Sequence, residues 1–141
     1  MAYCTQADIA EQIPEDELIQ LTDDDDLGVI DASAVERAIA DADAEIDGYC
    51  GKRYSVPFAP VPVMIRKCSV DIAIYNLFPR REGAPESRRT RYKDIIRFLE
   101  NIAKGVVSLG EKDPDGTPKP TDRPDIQSDR RLFSRRTMRG F

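Results

Sequence analysis

The 141-residue chain has the length of one small domain, and its 40% hydrophobic content supplies a real but modest core. It has no histidine, so the commonest general base and metal ligand is missing and Ser-His or Cys-His nucleophile arrangements are excluded. The net charge of −5 is unevenly spread: residues 1–47 hold fifteen Asp and Glu against the single Arg37, a charge of −14, so the other 94 residues carry +9.

In chain order, Thr5 and Asp8 make a capping box with Asp in place of Glu, which predicts a short helix that breaks before Pro14. Pro14 suits the first turn of a second short helix over 15–21, where Glu15, Asp16 and Glu17 complement the macrodipole. An acidic turn, 23–28, follows. Ser33 and Glu36 then complete an S-x-x-E box that predicts the start of a long helix. Val35, Ala38, Ile39, Ala42, Ile46, Tyr49 and Cys50 recur at helical intervals and make one buried stripe along it. Gly51 is placed for a left-handed cap, with Lys52 and Arg53 beside the negative helix end.

Pro57, Pro60 and Pro62 each set their own φ and disfavour helix in the residue before, so this segment reads as an extended, rigid strap. Tyr54, Val56 and Phe58 alternate along it and can anchor one face, against the bundle or a neighbouring subunit. Gly48, Gly51, Arg53, Tyr54, Pro57 and Phe58 are thus the candidate elbow and subunit contact. Pro62 starts a helix over 63–77 with Met64, Ile65, Cys68, Ile72, Tyr75 and Phe78 as its apolar face, and Pro79 ends it. After a charged link over 80–84, Pro85 opens a last helix through Lys104, with the stripe Tyr92, Ile95, Ile96, Leu99, Ile102 and Ala103 and with Gly105 as its cap. Residues 106–110 read as a short strand. The expected fold is all-α: a small bundle of four to five helices over residues 1–110.

Residues 111–141 read differently. Pro114, Pro118, Pro120 and Pro124 stand among Asp, Gly, Thr and Lys, with too little apolar material to fold alone, which predicts an extended or disordered arm. Its end carries Arg130, Arg131, Leu132, Phe133, Arg135, Arg136, Arg139 and Phe141 with no acidic residue after 130, a composition that suits ordering on a partner. Clustered Arg also neutralises phosphates, so a DNA-binding accessory role stands as the alternative. No recognition helix or base-stacking motif accompanies these arginines.

No reaction centre is apparent. The carboxylates fall at caps, in a turn and on exposed helix faces, and no phosphate-binding glycine loop is present, so the chain is not expected to be an enzyme, to take a small-molecule substrate or to need a cofactor. Asp23, Asp25, Gly28 and Asp31 fall on positions of a calcium loop. Leu27 stands at the fifth position and Ala34 at the twelfth, so two ligands are missing and no metal is expected. Cys4, Cys50 and Cys68 show no C-x-x-C spacing and read as free thiols, the last two in the core. No stretch reaches the roughly 18–20 apolar residues of a spanning helix, and the N-terminus lacks the order of a signal peptide, so a cytoplasmic site of assembly without a membrane is expected.

Three stretches carry a family resemblance: IDGYCGKRYSVPF over 46–58, DIAIYNLF over 71–78, and RYKDIIRFLENIAKGVVSLG over 91–110. Together they resemble the Mu-like prophage group of small head proteins, itself similar to head-tail connector, or head-completion, proteins of tailed bacteriophages. The likeness runs from about residue 1 to 110 and leaves the arm unmatched. Cys50 stands where the family often has an aliphatic residue, a small change because a reduced Cys is a small hydrophobe. The resemblance implies a helical adaptor in the virion neck. It would form a ring, dodecameric by family analogy, beneath the portal, contact channel DNA without sequence preference and present a face to the next neck or tail component. A closed ring needs a heterologous interface, and segregated charge is one way to supply it. Whether the free chain is a monomer or a ring is left open by the sequence.

Overall fold

The computed structural model describes residues 1–78 and 83–110. Among them are five helices and no strand: α1 (Gln6–Ala10), α2 (Glu15–Thr22), α3 (Ala32–Cys50), α4 (Val63–Leu77) and α5 (Glu86–Lys104). The all-α expectation is therefore met, whereas the strand expected over 106–110 is absent. Val106 and Val107 instead donate their amides to the Asn101 carbonyl, which continues the end of α5 as a turn. Pro79 and the arm residues fall outside the described part of the chain.

Helix boundaries follow the local chemistry. Thr5 and Asp8 make the reciprocal box that opens α1, and Gly105, at φ +81°, gives α5 its left-handed cap. Pro14, Pro62 and Pro85 stand at the N-cap of α2, α4 and α5, one residue ahead of the first turn. The start of α3 differs from expectation. Its N-cap is Asp31, whose carboxylate accepts from the Ser33 amide at 2.9 Å and the Ser33 hydroxyl at 2.6 Å. α3 begins one residue before Ser33, which places Ser33 inside its first turn, where its hydroxyl donates to Asp31. Just upstream, the Asp23 carboxylate accepts from Leu27 and Gly28 amides at 3.0 and 2.6 Å, which closes the acidic turn on itself.

α3, α4 and α5 pack against one another, and α1 and α2 cover one side of that trio. α4 is the centre. Cys68, Ser69, Val70, Asp71, Ile72, Ala73, Ile74 and Leu77 are all buried, so the helix is enclosed nearly all round. The sequence stripe named only part of this set, and it included Met64, which is 46% exposed. Along α3 the stripe holds for Val35, Ala38, Ile39, Ala42, Ile46 and Cys50, and Tyr49 is half-buried. On α5 only Leu99 and Ile102 are fully buried; Tyr92, Ile95, Ile96 and Ala103 sit at the margin. Tyr92 stacks on Tyr75 with ring centroids 4.1 Å apart, and its hydroxyl donates to Glu45 at 2.7 Å, which joins α5 to both neighbours. All three cysteines are free and buried, Cys4 included.

Candidate functional site

The segment between α3 and α4 is a bent corner rather than an extended strap. Arg53 and Tyr54 amides donate back to the Cys50 carbonyl at 3.0 and 2.9 Å, so the chain turns as soon as the helix ends. The peptide bonds before Pro57 and Pro60 are cis. Tyr54 and Phe58 are buried, and Val56 packs against them at the edge of the core. Phe58 is drawn inward onto Tyr3 and Tyr54 onto Phe58: the Tyr3 and Phe58 centroids lie 5.8 Å apart, and those of Tyr54 and Phe58 5.9 Å.

A polar network fixes this corner from beneath. The Tyr3 hydroxyl donates to Asp47 on α3 and accepts from the Phe58 amide at 3.1 Å. The Tyr3 amide donates to Asp43 at 3.0 Å, and Ser69 on α4 donates to the other Asp43 oxygen at 2.7 Å. Ser69 Oγ also lies 3.2 Å from Cys4 Sγ. One layer of side chains thus joins the N-terminus, α3, the corner and α4. Burial pushes the Asp43 carboxyl above the usual carboxylate range, against the opposing effect of the hydrogen bonds from Ser69 and Tyr3. Burial, reinforced by the bond to Asp47, raises the Tyr3 phenol, and burial raises the Cys4 thiol to about 11.

The far side of the corner is tied to the end of α5. The Leu109 amide donates to the Tyr54 hydroxyl at 3.2 Å. The Arg53 guanidinium lies over the Tyr54 ring at 5.9 Å and against Gly105 so closely that a Cβ there would meet Nη1 at 2.9 Å. Arg53 therefore sits at the negative end of α5, and the expected cation at a helix terminus serves a different helix.

The structure thus brings together Arg53, Tyr54 and Phe58, with Pro57 exposed on the outer side of the same corner. The two remaining elbow residues behave otherwise. Gly51 adopts a right-handed φ of −60°, not the left-handed cap. A Cβ there would come 2.8 Å from the Asp47 carbonyl oxygen and 3.3 Å from Val56, so close packing is what favours glycine. Gly48 lies inside α3, exposed, with open space where a side chain would go, and takes no part in the corner. The arm residues Arg130, Arg131, Leu132, Phe133, Arg135, Arg136, Arg139 and Phe141 lie outside the described chain. Sequence reasoning missed Tyr3, Asp43, Asp47 and Ser69. Asp43 and Asp47 do continue the Val35, Ile39 row at intervals of four, and acids in an apolar row are the signal that was there to be read.

Among the described residues, no three acidic or cysteine side chains are grouped to hold a metal ion, and no helix is long and apolar enough to cross a membrane. In the described residues, fold and corner together define a small five-helix all-α module in which an inward-facing aromatic elbow is cross-tied at both ends. The chain belongs to the family described as "Bacteriophage Mu, Gp36", which matches residues 3–128. Residues 129–141, with all five clustered arginines, lie beyond that match, which itself runs past residue 110. It is 36% identical over 112 residues to "Mu-like prophage FluMu protein gp36" of Haemophilus influenzae, covering 79% of this chain and 78% of that relative. It is also 34% identical over 116 residues to "Gene product J" of Escherichia phage Mu, covering 81% of this chain and 79% of that protein. The chain is therefore a phage-related protein of the Mu type.

Proposed function

We propose that this protein is a structural head-tail connector of a Mu-like phage or prophage, assembling as a ring under the portal and joining it to the next neck or tail component. It works by shape and multivalent contact, with no reacting group. The observation that carries this reading is the cross-tied corner. Tyr3 is bonded to Asp43 and Asp47 on α3, Asp43 to Ser69 on α4, and Tyr54 to the chain just past α5, with Phe58 between the two tyrosine rings, and a subunit that must repeat around a ring needs that constancy of shape. The charge contrast between residues 1–47 and the remainder supplies unlike faces for a head-to-tail interface. In the assembled virion the arm docks on the portal or an adjacent subunit, and its ordering cost is met at that step.

The test is sedimentation of the purified chain with and without the portal of the same phage. A shift of both proteins into one stoichiometric ring complex is expected; independent sedimentation at micromolar concentrations of each would refute the reading. The alternative, a DNA-binding accessory protein, is favoured only by the five arginines at the end of the arm. It requires binding to duplex DNA that falls steeply with salt and disappears when residues 130–141 are removed.

A further inference from the structure

Among the described residues, none covers one face of α3 beside the corner. A groove of about 720 Å³ runs along it, lined by Val35, Ile39, Ala40 and Ala44 of α3, by Met1, Ala2, Cys4, Thr5 and Gln6 of the N-terminal segment, and by Pro57. Ala40 and Ala44 are exposed and carry only methyl groups, so a chain laid along the groove can approach the helix backbone closely. Three carboxylates line it, those of Glu36, Asp43 and Asp47, against one cation, the Met1 amino group, whose charge is felt at Asp43. The groove is thus apolar along its length and acidic at its edge.

We infer that this groove receives the C-terminal segment of the same chain, residues 130–141. Its sequence is complementary in both respects. Leu132, Phe133, Met138 and Phe141 supply apolar side chains, and Arg130, Arg131, Arg135, Arg136 and Arg139 supply cations with no acid among them. Arginine suits such an edge because its planar fork bonds a carboxylate that already has other partners. Reach also favours the chain's own segment. Leu109 is bonded to Tyr54, and Tyr54 is two ring contacts from Tyr3, whose neighbours in sequence line the groove. The arm therefore leaves the bundle at the corner that carries Pro57, which lines the groove. Nineteen residues, 111–129, separate that exit from Arg130. Fully extended, nineteen residues reach at most about 65 Å, enough to fold back, and the tether makes docking an intramolecular step.

The inference needs only the free chain and does not depend on the connector reading. Under that reading it adds a role for the parked segment: in the unassembled protein it covers an acidic face that a neighbouring copy would otherwise meet, and assembly exchanges it for the portal or the next subunit.

The test places a photoreactive benzoylphenylalanine at Phe133 in the full-length chain, irradiates it at low micromolar concentration, separates monomer from dimer and maps the cross-links by mass spectrometry. Cross-links from Phe133 to residues 35–47 or 1–6 within the monomer band are expected. Ala44→Arg blocks the groove and adds a like charge at an exposed helical site, and should abolish those cross-links while helical circular dichroism is unchanged. The pair Arg135→Glu and Arg136→Glu should weaken them at least tenfold. Three results would overturn the proposal: cross-links to this groove found only in the dimer band, which would make a second copy the occupant; cross-links elsewhere on the bundle; or cross-links to the groove that survive both sets of substitutions. Failure here leaves the sedimentation result with the portal unaffected, so the two readings fail separately.

Discussion

Replacing Asp43 separates what the half-buried carboxylate does by accepting hydrogen bonds from what it costs by being charged. In Asp43→Ala the Tyr3 amide loses its acceptor in a residue that is 2% exposed, and Ser69 loses its stronger partner and keeps only the Cys4 sulfur, a weak one. Leaving a buried donor unsatisfied costs about 1–3 kcal/mol, and bonds to a charged group contribute about 1.5–3 kcal/mol each. Removing a carboxylate whose ionised form burial disfavours offsets part of this, so a net loss of roughly 2–3 kcal/mol is expected. For a folded region of this size that lowers Tm by roughly 10–20 °C. Asp43→Asn should behave differently. Its carbonyl still accepts from Tyr3 and its NH2 donates to the Ser69 hydroxyl, so stability at pH 7 should stay within about 1 kcal/mol of the parent. Urea unfolding followed by circular dichroism measures both. If the alanine variant is as stable as the parent, or if asparagine falls as far as alanine, the network does not anchor the corner as described. The pH dependence gives an independent reading. Because Asp43 is raised in the folded state, its ionised form destabilises the fold, and its contribution should become more favourable as pH falls from above the raised folded pKa towards the unfolded value near ~4. Asp8 and Asp31 have the opposite sign: bonds from Thr5 and Ser33 lower them, and what they add is present above that value and lost in acid. The stability difference between parent and Asp43→Asn, followed from pH 7 to 4, isolates the Asp43 share and should shift in the parent's favour with acid.

Two glycines should respond in opposite directions. Gly48→Ala, in open space inside α3, should stabilise by about 0.5–1 kcal/mol. Gly105→Ala, at positive φ and pressed against Arg53, should destabilise by about 1–2 kcal/mol; the same urea titrations decide both. Burial holds the Cys4 and Cys68 thiols at about 11 and the Cys50 thiol at about 12. At pH 8 a disulfide reagent should therefore modify the native protein on the order of 100-fold more slowly than the unfolded chain. Fast reaction of one thiol under native conditions would show that the helices around it open locally.

Much of the helical layout was legible in the sequence because it rests on local chemistry. The Thr5 and Asp8 box, the prolines ahead of α2, α4 and α5, the spacing of Val35 to Cys50 and the left-handed Gly105 each act within a turn or two of chain, so the elements they specify were correctly placed. Tertiary structure decided what those elements meet. That α4 is enclosed nearly all round follows from having neighbours on every side, which no periodicity within one segment reveals. The corner shows the same division. Prolines at 57, 60 and 62 exclude helix but do not choose between an extended strap and a bend, and the choice was made by Tyr3, more than fifty residues away, whose ring and hydroxyl draw Phe58 inward. Gly51 likewise answers to the Asp47 carbonyl and Val56 rather than to a cap. Local conformational preference is carried by neighbouring atoms and can be read along the chain, whereas a buried hydrogen bond or a close approach exists only once distant segments have met.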